Sequence, residues 1–353
     1  MSDTARRTRI GISIDGVDIT NDLSPYNVSL TYTDYEEGES DDLQLVVQDR
    51  DGIWLKNWIE TLVLASVYGG DAATKITATI TKENWNNDGI SASLPCGSFE
   101  LDSIVVDGPP SQVTLKATAL PYSCQIRQTV NSKAWEGYRL SGIIAEMATK
   151  HGMTYLYESS IDPSYDRLEQ YYVSDIVFLE HLCTLAGNAI KSTNNTLVVF
   201  DQRAYESKDA VRTIAFGDGT YNTYKVSMDT AETAYASCTV KCIAQDGTLI
   251  EGTAYADDYD SSDEDNQHLA LYCQVSSIAQ AQTVAAANLR RFNKFAKTFS
   301  ITTPGDVNIV AGVTINLADW GVWSGKYLVY EAAHSVGGNG YTTKIKARQT
   351  LEG

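Results

Sequence analysis

Two cysteines and a run of acidic side chains are the residues of this sequence best suited to hold a metal ion. Cys238 and Cys242 lie four residues apart in a segment with the alternation of a β-strand. They would share one face about 13 Å apart, which is too far to ligate one ion. The acidic run within residues 257–267 fits no EF-hand, because frames from Asp258 and Asp260 lack both Gly at position 6 and Glu at position 12. The sequence therefore predicts no metal site and a solvated acidic loop.

Cys183 is the candidate nucleophile, since Glu180 and His181 stand beside it in the sequence. These residues fall in a predicted helix, where residues two apart do not face each other, and the helical pattern puts Cys183 on the apolar face. The chain has no G-x-S-x-G elbow, and the glycine-rich segment 337–340 lacks the following helix that a phosphate-binding loop needs. No pair among the 45 acidic residues is marked out for glycan cleavage. We predict no catalytic residue and no cofactor.

Length and charge bound the class of protein. A chain of 353 residues suggests two or three domains with a sizeable core. The net charge of −18 repels phosphate backbones and anionic lipids, so neither specific nucleic-acid binding nor membrane insertion is expected. The N-terminus lacks the apolar core of a signal peptide, and no apolar run approaches roughly 20 residues. We therefore expect folding in a cytoplasm, with the six cysteines as reduced thiols.

Residues 1–125 have the pattern of a β-domain. Ile10, Ile12 and Ile14 alternate with small or polar neighbours, which is the period of a half-buried strand. The segment 107–110, Asp-Gly-Pro-Pro, is a strong turn signal between two further strands. Many short strands separated by turns indicate a sandwich or a barrel.

Residues 126–210 predict a compact α+β module. Apolar residues at helical spacing indicate one helix over 141–150 and a second over 176–186. Gly152 and Gly187 follow these segments at the positions where glycine ends helices.

Residues 211–353 return to the β pattern and form the second predicted β-domain. A hairpin turn is expected at 245–247, and the acidic loop follows it. The alanine-rich segment 277–295 predicts one long helix, with basic residues near its C-terminal end. The predicted fold class is therefore α+β, predominantly β, with two β-domains around an inserted α+β module.

A weak internal repeat links the two β-domains. Segment 97–101, Gly-Ser-Phe-Glu-Leu, is similar to 325–329, Gly-Lys-Tyr-Leu-Val, and the Leu-Lys-Ala of 115–117 is similar to the Ile-Lys-Ala of 345–347. The copies lie roughly 230 residues apart, which is far longer than a solenoid period. They indicate the closing strands of two related domains, with chance similarity of such short segments as the alternative.

Several segments, spread over nearly the whole chain, resemble the phage late control gene D family. This is the tail-hub family that also includes the hub part of VgrG-type spikes. No single segment is specific, and their order and spacing carry the resemblance. The segments are residues 41–45, 49–52 and Trp58; 97–102 and 108–110; 135–143, Gln170, 174–175 and 178–179; and 289–291, 311–312, 325–327, His334 and 340–343.

The resemblance implies a non-enzymatic structural hub of a contractile-tail baseplate, in a phage or a tail-like bacteriocin assembled in the cytoplasm of a bacterial host. Hubs of this family have two tube-like β-barrel domains, and three copies form a pseudo-sixfold ring between the sixfold tail tube and the threefold spike. The implied partners are two further copies of the chain, a separate spike protein, a tail-tube or tube-initiator protein, and baseplate wedge proteins. Because no spike or lysozyme segment follows the second β-domain, we expect other chains to supply them.

Two other classes of function stay open. A cell-wall hydrolase or carbohydrate-binding module of the tail tip would use acidic pairs and aromatic side chains. A tail-tube or tube-initiator protein would need only one β-barrel, which the length disfavours. The acidic balance adds a hypothesis, since an acidic channel through the ring would let DNA pass without binding.

Overall fold

The computed structural model of the protein describes residues 5–54, 56, 74–85, 89–120, 124–229, 234–244, 246–257 and 259–351. Strands make up 51% of the structure and helices 18%, so the predicted α+β, predominantly β class is confirmed. Three positions used above, Trp58, Gln245 and Asp258, lie outside the described residues.

The strands are numbered along the chain. They are β1 (Arg7–Ile14), β2 (Val17–Asp18), β3 (Val28–Tyr35), β4 (Asp42–Gln48), β5 (Lys75–Glu83), β6 (Ser91–Asp107), β7 (Gln112–Thr118), β8 (Val130–Arg139), β9 (Thr154–Glu158), β10 (Ser164–Ser174), β11 (Ala189–Thr193), β12 (Thr196–Phe200), β13 (Arg212–Ala215), β14 (Thr223–Met228), β15 (Tyr235–Ile243), β16 (Leu249–Tyr255), β17 (Gln267–Tyr272), β18 (Lys297–Pro304), β19 (Thr314–Ala318), β20 (Gly325–Gly337) and β21 (Gly340–Gln349).

The helices are fewer and mostly short. They are α1 (Thr20–Leu23), α2 (Gln125–Gln128), α3 (Leu140–Lys150), α4 (Asp175–Ala186), α5 (Gln202–Glu206) and α6 (Ile278–Asn293), with a 3-10 turn at Gly321–Trp323. The three helices predicted from periodicity and alanine content are α3, α4 and α6, and they are confirmed to within two residues at each end. No described helix has the length and apolar character that crossing a lipid bilayer requires.

Thirteen strands form one sheet that contains both the first and the last β-rich parts of the chain. Its order is β14-β18-β21-β20-β3-β4-β7-β6-β5-β1-β2, with β19 beside β20 and β13 beside β19. Its strands bury alternate residues: in β7, Val113, Leu115 and Ala117 are buried and their neighbours are not. The sequence pattern predicted two separate β-domains, and the structure joins them through the antiparallel pair β3–β20. Closed barrels and the three domain boundaries stay predictions.

The α+β module has a core of its own. β9, β12 and β11 form a three-stranded sheet, and β8 pairs with β10. α3 and α4 pack their apolar faces in this core, where Ile143, Leu179 and Cys183 are completely buried. α4 ends at Gly187, whose φ of 80° lies in the left-handed region that favours glycine, so the predicted helix stop is confirmed.

Part of the C-terminal third leaves the main sheet. β15, β16 and β17 form a separate three-stranded sheet, and α6 packs on it around Cys238, Val240 and Ala281. Gly252 of β16 allows this close approach, because a Cβ there would lie 2.5 Å from the backbone N of Gln282. The period-two pattern alone did not separate this sheet from the strands around it.

Candidate assembly surface

The internal repeat of the sequence corresponds to a repeat in the main sheet. The strands β3-β4-β7-β6, here called the first repeat, lie directly beside β14-β18-β21-β20, the second repeat. In each repeat a long strand forms a hairpin with the strand that follows it, and two more antiparallel strands extend that hairpin on one side. The similar sequence segments therefore fall on equivalent hairpins.

The two hairpins match in register as well as in order. In both, an alanine of the short strand, Ala117 or Ala347, is the last residue paired before a one-residue bulge in the long strand. The bulged residues are Asp102 and Tyr330, which are absent from the pairing. Equal placement of a bulge is a specific structural feature and supports a common origin of the two hairpins.

Each long strand changes its partner along its length. One edge of β20 pairs with β21, and its other edge passes from β19 to β3. The second half of β6 pairs with β7 on the corresponding edge, and the opposite edge pairs with β5 in the first half alone. A glycine begins the shared segment in both, Gly97 with φ 106° and Gly325 with φ 137°. Two residues later Phe99 and Tyr327 are 2% and 0% exposed, so each strand turns a buried aromatic ring into its core.

The two repeats meet where β3 pairs with β20. Tyr32 lies opposite His334, and their rings stack with centroids 6.0 Å apart. The Nε2 of His334 donates to the carbonyl oxygen of Ile309 at 2.8 Å, and its Nδ1 accepts from the hydroxyl of Tyr341 at 2.8 Å. Burial lowers the pKa of His334, which favours the neutral imidazole. The ring joins the two repeats through its stacking on Tyr32, while its hydrogen bonds stay on the side of the second repeat.

A half-buried lysine ties the module to the first repeat. Lys191 of β11 forms ion pairs with Asp34 and Asp41, and its Nζ lies 3.0 Å from Oδ1 of Asp41. Burial, aided by the charge of Asp34, raises the pKa of Asp41 to about 7. The two carboxylates raise the pKa of Lys191 even though its burial alone would lower it. Asp34 also accepts a hydrogen bond from the backbone N of Ala311. This bond links the cluster to the segment between β18 and β19.

A second ionic cluster lies at the same end of β3. Arg348 of β21 is completely buried, with Nη1 2.5 Å from Oε1 of Glu206 and Nη2 3.4 Å from Oε1 of Glu36. Burial raises the pKa of Glu36 to about 7, against the opposing attraction of Arg348. Arg290 of α6 and Lys294 just after it form ion pairs with acidic residues of the same cluster. The end of β3 thus connects both repeats, the module and α6.

Two strand edges of the repeats carry no partner among the described residues. β14 pairs with β18 alone, and the second half of β6 pairs with β7 alone. Both edges expose apolar side chains: Val105 is 42% and Val106 36% exposed on β6, and Tyr224 is 48% and Met228 49% exposed on β14. Long apolar edges invite pairing with another chain, so these two edges are the candidate assembly surface.

The residues that the sequence offered for chemistry are not brought together. Cys183 is completely buried on α4, and burial raises the pKa of its thiol, while His181 is exposed. Cys238 and Cys242 lie on β15, the first buried and the second half-buried, and both are free thiols. The segment 337–340 forms the hairpin turn between β20 and β21, as predicted.

The acidic loop is organised by its own hydrogen bonds. Asp260 accepts from the backbone N of Ser262 at 2.8 Å, and Asn266 donates to the carbonyl oxygens of Asp260 and Asp263. The hydrogen bond from Ser262 lowers the pKa of Asp260. Within the described ranges, no group of three His, Cys, Asp or Glu side chains is placed to bind a metal ion.

The junction and its ionic clusters were missed from sequence because their members are remote. Asp34 and Lys191 are 157 positions apart, and Glu36 and Arg348 are 312 apart. The available signal was three carboxylates at 34–37 after an apolar strand, a pattern that a solvated turn explains equally well. The free edge of β6, in contrast, directly follows segment 97–101 of the internal repeat, whereas the free edge of β14 lies two strands away from segment 345–347.

The fold with its duplicated sheet is that of phage tail proteins. The structure superposes on a tail protein from Neisseria meningitidis with a TM-score of 0.70, at 11% identity over 97% of this chain and 96% of that one. The 43 kDa tail protein of prophage MuSo2 from Shewanella oneidensis gives 0.66, at 13% identity over 97% and 98%. A type VI secretion system component from E. coli gives 0.55, at 10% identity over 97% and 77%.

Sequence similarity to proteins of named role points to one part of the tail. The chain is 26% identical over 186 residues to the "Probable baseplate hub protein" of Escherichia phage 186. It is 28% identical over 189 residues to the protein of the same name in Escherichia phage P2. Each match covers 51% of this chain and 41% of the relative, so the chain is matched to less than half of either protein. No protein-family model matches the chain. The resemblance to the tail-hub family, predicted from ordered segments, is confirmed by these relatives.

Proposed function

We propose that the chain is a non-enzymatic baseplate hub, which as a homotrimer joins a sixfold tail tube to a threefold spike. The observation that carries this proposal is the pair of equivalent four-stranded repeats in one sheet. A trimer of such a chain presents six similar units, which match a sixfold partner, while the chain itself repeats three times, which matches a threefold one. The names of the two curated relatives support the baseplate-hub part of this proposal.

The open face of the main sheet, which is the face opposite to its buried side chains, is suited to line a channel through such a ring. On β4, β7, β18 and β21, the two inner strands of each repeat, this face carries mostly hydroxyl and amide side chains, with Lys116, Lys344 and Lys346 against Asp42. The acidic excess of the chain therefore lies elsewhere, and we give up the hypothesis of an acidic channel. Three lysines against one aspartate leave these strands with a small positive excess on this face.

Deletion of the gene tests the role in the particle. Cells that make the tail without this chain are expected to yield no tube joined to a spike, and a tagged copy of the chain is expected to restore complete tails that contain it. Normal tails that lack the chain would contradict the proposal. In parallel, the purified chain is expected to leave bacterial cell walls intact, and clearing that one carboxylate substitution abolishes would favour a hydrolase.

A further inference from the structure

We propose that the free edge of β6 pairs antiparallel with the free edge of β14 in a second copy of the chain, in the register of the internal β20–β3 junction. The inference rests on the proposed trimeric hub and assigns the strands that close its ring. Junctions within a chain would then alternate with junctions between chains, and every repeat would meet its neighbours in one way.

The internal junction is a template because it joins the same two edges of the repeat. Each repeat has its long strand at one end and, at the other end, a strand that is here called the fourth strand: β3 in the first repeat and β14 in the second. The internal junction pairs the outer edge of the long strand β20 with the outer edge of the fourth strand β3. In the first repeat the long strand is β6, and in the second repeat the fourth strand is β14. The two unpaired edges are thus the same kinds of edge that already meet inside the chain.

The register of the proposed pair follows from the equivalent positions. The bulges make Val106 the counterpart of His334, since both lie four residues after the bulged one. On the other strand, Leu43 and Phe299 are equivalent because each pairs with the alanine of its repeat. Their partners on the next strand are Tyr32 and Val226, which are therefore equivalent to each other.

The internal pair His334–Tyr32 thus predicts that Val106 lies opposite Val226 of the second copy. One step away, Ser335–Thr31 predicts Asp107 opposite Lys225, which sets opposite charges face to face. The register was derived from the positions of the bulges and the paired alanines, without regard to side-chain charge or shape. The complementarity of these two pairs therefore supports the register independently.

The remaining positions are compatible as well. The internal pair Ala332–Asp34 predicts Ile104 opposite Met228, two apolar side chains on the core side of the sheet. Ala333–Thr33 predicts Val105 opposite Ser227, on the open side. Pairing would cover the edges at which Val106 and Met228 are now partly exposed.

A second copy fits these edges better than another protein does. Each edge is complementary to the other in register, side-chain size and charge, and the two belong to opposite ends of the eight-stranded run within one chain. Such a head-to-tail contact closes into a ring when the rotation between copies is right, and three copies satisfy the proposed hub.

Cysteine cross-linking in assembled tails tests the register. The backbone N of Glu36 donates to the carbonyl oxygen of Tyr330, so these two residues form a hydrogen-bonded pair at the end of the junction. Because hydrogen-bonded and non-hydrogen-bonded pairs alternate along antiparallel strands, Ala333–Thr33, three positions further on, is a non-hydrogen-bonded pair. Opposed Cα atoms in such pairs lie about 4.5 Å apart, within the reach of a disulfide. The equivalent variant between copies is V105C/S227C.

Two matched variants serve as controls. A333C/T33C forms the same pair inside one chain and is expected to oxidise without linking copies. V105C/T223C places the second cysteine on the same face of β14, about 13 Å along the strand from position 227, and is expected not to cross-link. Tails isolated with V105C/S227C are expected to give covalent dimers and trimers of the chain after mild oxidation, resolved without reductant.

The outcomes separate this inference from the proposed function. Tails that contain the chain but show no link at V105C/S227C, while A333C/T33C oxidises, would overturn the edge pairing and leave the hub role intact. A link to a different tail protein would also overturn it. Tails that never contain the chain, including the wild-type chain, would contradict the hub role itself.

A charge exchange tests the same contact without oxidation. D107K and K225D each put like charges opposite one another and are expected to lower incorporation of the chain into tails several-fold. The double variant D107K/K225D restores opposite charges and is expected to recover incorporation. Equal loss in the double and single variants would count against the pairing of these two residues.

Discussion

Single ionic residues at the end of β3 hold the parts of the molecule in place. Asp34 is bound by Lys191 of the module, and Glu36 by Arg348 of the second repeat. Buried ion pairs contribute little net stability, yet the removal of one partner leaves an uncompensated charge and is costly. We therefore regard these residues as positioning elements whose loss is expected to weaken the contact between the module and the sheet.

Substitution of Lys191 tests this positioning role. K191M leaves the buried carboxylates of Asp34 and Asp41 facing each other without a cation, and we expect a loss of about 3–5 kcal/mol in the free energy of unfolding. The control R167M removes an exposed ion-pair network with Glu136 and Glu169, which solvent screens, and should leave the free energy of unfolding nearly unchanged. Urea denaturation of both variants measures the difference, and equal losses would refute the role.

The raised pKa of Glu36 predicts a pH dependence of stability. Its pKa of about 7 in the fold exceeds that of an unfolded glutamate, so the folded state binds the extra proton between about pH 4.5 and 7. Stability from this group is therefore lost as the pH rises through that window. Relative to E36Q, the wild type should lose up to about 3 kcal/mol between pH 5 and pH 7.5. A difference in denaturation midpoint that stays constant over this range would contradict the assignment.

At the scale of elements, helix ends were predictable and strand partners were not. A glycine after an apolar helical pattern is a local signal, and it located the end of α4 at Gly187. The pair β3–β20 joins segments about 300 positions apart, and alternation in either strand says nothing about its neighbour. The internal repeat was the exception, because it marked two equivalent hairpins before their partners were known.

The two helix-ending glycines give a matched pair of variants. G152A adds a Cβ that meets nothing within 4 Å, so it should cost only about 1 kcal/mol for its positive φ of 65°. G187A would put its Cβ 2.0 Å from the Cβ of Ala287 on α6, and we expect a further loss of roughly 1–3 kcal/mol. Thermal or urea unfolding compares them, and a G187A variant as stable as G152A would show that α4 and α6 are not packed as described.

At the scale of the whole molecule, the centre of the main sheet consists of two similar four-stranded units. The first and second repeats share strand order, register and bulge position, and they already meet inside one sheet. Composition could not reveal this, because branched and aromatic residues favour strands of any arrangement. The fold class followed from the sequence, while the continuity of the sheet required the three-dimensional structure.

The most direct test of the hub is the density of the assembled tail at the point where tube and spike meet. Reconstructed by electron microscopy without imposed threefold symmetry, it should show three copies of this chain in a closed ring. Six equivalent repeats should follow one another around that ring, with β6 of each copy beside β14 of the next. A single copy, six copies, or a position away from the tail axis would contradict the account.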